Sequence, residues 1–338
     1  MKNSFISGNN KRLWQHIAAL AILGIAVHLL LPQITTLENS LSVLSKMLLW
    51  AVGLAVVAQV CSYLGSGLLL QRLLDLFKYK VSLLRGTLIV LAAASVSMIA
   101  GGTVGSSAAI FKWTSGEKSS IGRATLASIF PPLLNTLLLV FFSIFGIIHL
   151  IVVHDLTQAQ MFGFGATLLF LGLVACAIFL VSRYQNHAYT AIIWISRQYA
   201  KFRHKPIDIA EVKVEIDHFF TTWGELWKGK WQWLIIGALL NVIFDILTLY
   251  FIFRAGGVKI SIGVLLAGYG LPLLLGKMAF FLPGGLGVVE SSMAALYTGL
   301  GIPNSESVVI ILGYRLLSFW IPSIAGFPIA AYLQNRKG

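Results

Sequence analysis

The chain has 338 residues, of which 57% are hydrophobic and only 11% charged, with a formal net charge of +13 and a mean hydropathy of +0.85. An ordinary soluble domain carries about 25% charged residues, so a water-soluble globule is excluded. The cations cluster in loops and helix ends rather than forming a stripe with interleaved aromatics, which favours topology-setting charge at a membrane over nucleic-acid binding, so no nucleic-acid partner is expected.

The apolar residues form long runs separated by short charged joints, and several runs reach the roughly 20 residues that a helix needs to cross hydrocarbon. The period-2 alternation of a membrane barrel is absent. Backbone polar groups in lipid must be satisfied internally, so the expected fold is all-α, a polytopic helical bundle forming one transmembrane domain over 1–338.

In chain order, Lys11 and Arg12 precede an apolar run over 13–31. It is too long for a signal-peptide core and lacks a small-x-small cleavage pattern, so it is expected to be retained as a first span. Further full spans are expected at 47–70, 126–153, 161–181, 231–253 and 308–332. Lys- and Arg-rich joints at the N-terminus, 72–85, 112–123 and 183–230, with Arg336 and Lys337, belong on the cytoplasmic side. The joints at 32–45 and 154–160 carry no Lys or Arg and belong outside. This places both termini in the cytoplasm of a prokaryotic cell with the chain in its inner membrane.

With both its ends cytoplasmic, the run 83–111 must enter the bilayer and return. Each arm of about 14 residues reaches about 21 Å, short of a full crossing, so a re-entrant hairpin is expected. Its turn falls at Ala100-Gly101-Gly102-Thr103-Val104-Gly105-Ser106-Ser107, where glycines relax the backbone and hydroxyls can satisfy freed groups. By the same reasoning 260–302 begins and ends outside, broken at Phe281-Leu282-Pro283-Gly284-Gly285-Leu286-Gly287. Arg254 and Lys259 lie in a joint that this topology calls external, against the charge rule. A span, a broken hairpin and a span thus occur twice in opposite orientation, the inverted-repeat layout that places binding sites at discontinuous helices. The joint 183–230 carries two amphipathic segments, the first marked by Ile192, Ile193, Ile195 and Tyr199, and is too small for an enzyme domain.

Ionisable side chains at membrane depth are costly and are functional candidates by default. Here they are Asp245, Lys277, Glu290 and Arg315, whose formal charges sum to zero, so two structural ion pairs compete with a substrate role. The loop Pro283-Gly284-Gly285-Leu286-Gly287 opens a helix, and free amides at its positive end suit an anionic group such as a lipid phosphate. Glu290, on the first turn of that helix, either caps the loop or meets substrate. Arg315 is the first choice as partner of a phosphate or of Glu290. Asp245 is expected to pair with Lys277, the alternative being a proton-exchanging residue of a coupled transporter. The seven His residues show no metal-ligand spacing, and no Walker loop, GxSxG or dinucleotide GxGxxG is present, so neither metal nor cofactor is expected.

The run FLPGGLGVVE from Phe281 to Glu290, followed by YTGLGI from Tyr297, YRLLSFWIP from Tyr314 and Gly326, resembles the transmembrane region of lysylphosphatidylglycerol synthases. That group is also called the flippase-like domain family. The likeness is specific from Phe281 onward and extends to length and hydropathy over the whole chain. Many relatives carry a Glu-Arg pair ahead of an acidic residue after the first broken hairpin. This chain reads Phe130-Pro131-Pro132-Leu133-Leu134-Asn135 there, which leaves any substrate contact of that pair without a counterpart. The resemblance implies that Pro283, Gly284, Gly285, Gly287, Glu290 and Arg315 shape a lipid route, in a region linked in the multiple peptide resistance factor to flipping aminoacylated phosphatidylglycerol. A soluble aminoacyl-transferring domain follows that region in full-length synthases, whereas this sequence stops at Gly338, so no enzyme activity is expected.

The expectation is therefore a flippase-like protein binding an anionic phospholipid or lipid-linked sugar, with Arg315, Glu290, Lys277, Asp245, the glycine loop and Gly101 and Gly102 at the site. The competing readings are an accessory subunit for a partner lipid-modifying or glycosyl-transferring enzyme, and an ion-coupled solute transporter. Association into a homo-oligomer is compatible with each.

Overall fold

The computed structural model describes residues 45–115, 121–153, 231–279 and 282–335, with scattered positions between 158 and 221. The spans expected at 13–31 and 161–181, and most of the joint 183–230, lie outside the described residues. Within them the chain is helical: α1 Leu49–Leu76, α2 Leu83–Ile99, α3 Gly102–Thr114, α4 Ile121–Val153, α5 Gln232–Ala255, α6 Ile262–Met278, α7 Val288–Gly299 and α8 Asn304–Asn335. Among the described residues four helices, α1, α4, α5 and α8, are long and apolar enough to cross a bilayer.

Two of these run beyond their apolar stretch and carry a charged residue against an aromatic ring. In α1 the helix continues through Arg72 and Asp75, which approach at 3.9 Å, while the Arg72 guanidinium lies 5.2 Å over the Trp233 ring of α5. In α4 the first turns include Arg123, whose guanidinium sits 4.4 Å over Tyr79. An aromatic face accommodates such a charge at a helix end at little cost.

The glycine-rich stretches break the helices. Gly101, at φ 78, is a left-handed residue between α2 and α3, a conformation that glycine adopts without the Cβ clash. Between α6 and α7 a single 3₁₀ turn, Pro283–Gly285, is followed by Gly287, with Gly284, Gly285 and Gly287 all at positive φ. Neither break is long; each is a few residues of non-helical backbone between two short helices.

Close packing follows from small residues. α1 packs along α5, α4 along α6, and α2 along α8. A Cβ on Gly326 would meet the Leu91 carbonyl of α2, and one on Gly146 would meet the backbone of Ala267 in α6.

The buried apolar side chains separate into two cores. One is built from Leu139, Ile147, Leu249, Phe253, Tyr297, Ile310 and their neighbours, the other from Leu69, Leu73, Ile89, Trp113, Leu126, Leu234 and Leu333 among others. The four long helices contribute to both cores from different parts of their length. Between those parts lie Gln59, Ser62 and Tyr63 on α1, Asn135 and Thr136 on α4, Asn241 and Asp245 on α5, and Arg315 and Ser318 on α8. Polar groups are thereby gathered between two apolar layers.

Candidate functional site

Gln59, Ser62, Tyr63 and Ser66 recur at helical spacing on one face of α1, so a polar stripe runs down an otherwise apolar helix. It faces a cavity of about 330 Å³, lined also by Asn135, Asn241, Asp245, Lys277, Tyr314, Arg315 and Ser318. A second cavity of about 280 Å³ shares Asn135, Asn241, Asp245, Lys277 and Phe319 and adds Gly102, Gly284 and Gly285. The two adjoin through these shared residues and make up a chamber whose polar groups are set into mainly apolar walls. Pro131 and Pro132 inside α4 remove amide donors and line the larger cavity, and Thr136 Oγ1 donates to the Pro132 carbonyl at 2.7 Å.

Arg315 and Glu290 form a buried ion pair, Nε to Oε1 at 2.6 Å, with relative exposures of 4% and 3%. The other carboxylate oxygen of Glu290 accepts the Gly287 N–H at 2.7 Å. Arg315 Nη2 donates to the Gly284 carbonyl at 2.9 Å, and its guanidinium stacks 4.6 Å from the Phe319 ring. The pair therefore clamps the glycine loop from both sides. Gly285 is pressed so closely on Gly276 of α6 that a Cβ would lie 2.7 Å from the Gly276 Cα. Just after Arg315 the helix carries a π turn, Leu316–Trp320, and the Ser318 carbonyl there accepts the Tyr63 hydroxyl at 3.1 Å.

Asp245 does not pair with Lys277, which corrects the favoured expectation. Asp245 Oδ2 accepts two phenolic donors, Tyr269 of α6 and Tyr314 of α8, each at 2.8 Å, and Gln59 of α1 lines the same cavity. Both tyrosines are buried in the first apolar core with their hydroxyls at the carboxylate. Lys277 Nζ instead donates to Thr136 Oγ1 at 3.2 Å, and among the described residues the ion pairs are Arg72–Asp75 and Arg315–Glu290. Lys277 is thus the cation of the chamber that has no carboxylate beside it.

Of the residues singled out from the sequence, Asp245, Lys277, Arg315, Gly102, Gly284 and Gly285 line the chamber. Glu290 and Gly287 stand behind Arg315 and shape the loop, Gly101 supplies the turn between α2 and α3, and Pro283 opens the 3₁₀ turn. Sequence reasoning missed Gln59, Asn135, Asn241, Tyr269 and Tyr314. The α1 stripe and the Asn241/Asp245 pair at i, i+4 were available signals, since neutral polar groups on one face of a membrane helix mark a shared polar space. Tyr314 opens the YRLLSFWIP motif without a stated role, and nothing in the sequence marked Tyr269, since tyrosines are common on both buried and interfacial helix faces. Several chamber atoms lack protein partners: Gln59 Oε1, Asn135 Oδ1 and Ser318 Oγ are buried without a hydrogen bond. A ligand or water bearing donors would satisfy them. Among the described residues no group of three His, Cys, Asp or Glu side chains could hold a metal ion.

A family model described as the lysylphosphatidylglycerol synthase TM region matches residues 16–326. A UPF0104 membrane protein of Pyrococcus horikoshii is 25% identical over 249 residues, covering 68% of this chain and 69% of the relative. One from Methanothermobacter thermautotrophicus is 27% identical over 227 residues, 63% of this chain and 65% of the relative. One from Methanocaldococcus jannaschii is 25% identical over 230 residues, 65% of each. The chain thus spans about two thirds of the length of these relatives.

Proposed function

The chain belongs to the lysylphosphatidylglycerol synthase transmembrane-region family, and from that premise we propose that it binds the anionic headgroup of a phospholipid or lipid-linked sugar at Lys277 and carries it across the cytoplasmic membrane. The observation that carries this reading is the state of Lys277: a cation facing the chamber whose one hydrogen bond among the described residues is to Thr136. A charge kept at membrane depth without a counter-charge is expensive and is retained where function needs it. A phosphate at that position supplies the counter-charge, and its hydroxyl-bearing neighbours would donate to Asn135 Oδ1 and Gln59 Oε1.

Arg315 has a different role in this scheme from the one its sequence position suggests. Its charge is spent on Glu290 and its donors on the glycine loop, so it fixes the chamber wall while Lys277 reads the headgroup. We take α2–α3 and α6–α7 as re-entrant units of opposite orientation, keep the expected spans at 13–31 and 161–181 and the cytoplasmic termini as part of the same reading, and leave the alkyl chains of the substrate outside in lipid. In this reading the chain is a translocase and not an enzyme, with membrane lipid as its partner.

The test is reconstitution into vesicles with fluorescently labelled phosphatidylglycerol, following the label that becomes accessible to a membrane-impermeant quencher. The wild type accelerates exposure of the label over protein-free vesicles, and Lys277→Gln slows it at least about tenfold, as expected for losing a charged hydrogen bond of about 1.5–3 kcal/mol. Equal rates in the two proteins would overturn the assignment of Lys277.

A further inference from the structure

We infer that movement of the anionic headgroup is coupled to a proton carried on Asp245, one proton per headgroup, so that the loaded chamber stays electrically neutral. This rests on the proposed reading of Lys277 as the headgroup site.

The inference begins with charge. Asp245, Lys277, Glu290 and Arg315 contribute two negative and two positive charges, so the chamber is neutral when empty. A phosphodiester brings one further negative charge, and a net charge enclosed at membrane depth is strongly disfavoured. One of the two carboxylates must then be neutralised. Glu290 is locked in its ion pair with Arg315 and holds the Gly287 amide, whereas Asp245 has only neutral partners.

The groups facing Asp245 can serve both of its protonation states. From α6 comes the Tyr269 hydroxyl and from α8 the Tyr314 hydroxyl; from α1 come Gln59 and, at longer range, Tyr63. α4 presents Asn135 to the same chamber, and the charged groups in view are Lys277 and Arg315. A tyrosine hydroxyl donates to a carboxylate and accepts from a carboxylic acid after rotation about its C–O bond. Gln59 adds to the set: it lines the same cavity as Asp245, and its Oε1 is buried and unpartnered. That oxygen is an acceptor for which the ionised form of Asp245 has no use and the protonated form, with its new O–H, has one.

The cycle balances without another reactant. A proton enters from one side and bonds to Asp245, the headgroup monoanion binds at Lys277, and the neutral load crosses. The O–H bond of Asp245 breaks on the far side, where the proton and headgroup leave together and restore the carboxylate. No net charge crosses, so a pH gradient drives the process and a membrane potential does not.

The experiment uses the full chain in vesicles containing labelled phosphatidylglycerol. A pH gradient or a potassium-diffusion potential is imposed separately, and an internal pH dye is read alongside the label. One unit of pH gradient should sustain about a tenfold leaflet asymmetry of the labelled lipid beyond that of protein-free vesicles, with matching alkalinisation or acidification and no response to the potential. Asp245→Asn, fixed in the neutral state, should pass the lipid in both directions without following the gradient, and Asp245→Glu should restore the response. Lipid movement in the wild type that ignores the pH gradient, or follows the potential instead, overturns the coupling and leaves the translocase reading standing. Absence of any protein-dependent lipid movement overturns both. The wild-type measurement decides the matter even where Asp245→Asn fails to fold.

Discussion

Arg315 and Glu290, 25 residues apart in sequence and on different helices, meet through Nε and Oε1 at 2.6 Å in a site almost closed to solvent. The pair is a structural fastening for the glycine loop, because each partner also grips that loop, Glu290 at the Gly287 amide and Arg315 at the Gly284 carbonyl. Removing one partner leaves an uncompensated buried charge, which costs about 3–5 kcal/mol. Arg315→Met or Glu290→Gln alone should therefore lower the thermal midpoint in detergent markedly. The double variant should recover much of the loss. A double variant as unstable as the sum of the singles would contradict this account.

Lys277 predicts the opposite pattern. Its charge has no carboxylate within ion-pair distance among the described residues and one hydrogen bond to Thr136, so its removal takes away a desolvation cost along with a weak contact. Lys277→Gln should melt at or above the wild-type temperature while losing lipid movement. The two readouts separate binding from folding; a large fall in melting temperature would reassign Lys277 to structure.

Gly284 joins backbone and packing constraints in one residue. It sits at φ 58, and a Cβ there would run into the Phe319 ring that stacks on Arg315. Gly284→Ala should cost about 2–4 kcal/mol from left-handed strain plus overpacking. A differential melting curve of the purified variant measures it, and a change below about 0.5 kcal/mol, the range of an ordinary surface substitution, would show that the loop is not held as described.

Water access distinguishes the chamber from the lipid-facing surface. In a background with Cys61 and Cys176 replaced, Ser106→Cys faces the chamber, whereas Val57→Cys sits on an exposed apolar face of α1 beside Trp50 and Val60. A charged, membrane-impermeant thiol reagent applied to vesicles should modify the first and spare the second, since only hydrated thiols ionise and react. Labelling of Val57→Cys but not Ser106→Cys would place water and lipid the other way round.

The sequence exposed its pattern where one residue type admits one explanation. Uninterrupted apolar length makes α1, α4, α5 and α8 legible, and Gly101 and the Gly284–Gly287 loop were visible as breaks because few residues adopt those backbone angles. Asp245, Lys277, Glu290 and Arg315 stood out because charge in lipid is rare. Their partners were not legible: the even balance of two cations and two anions permits several pairings, and helix spacing along one chain says nothing about which helix faces it.

What the sequence determined by itself is the solvent this protein lives in, since hydrophobic length and the requirement that every backbone group be bonded admit only helices. What the tertiary structure alone decided is how the four charges Asp245, Lys277, Glu290 and Arg315 are spent. Two fasten a loop, one is held by tyrosines, and one is left over, because pair energies fall steeply with distance and only packing sets the distances.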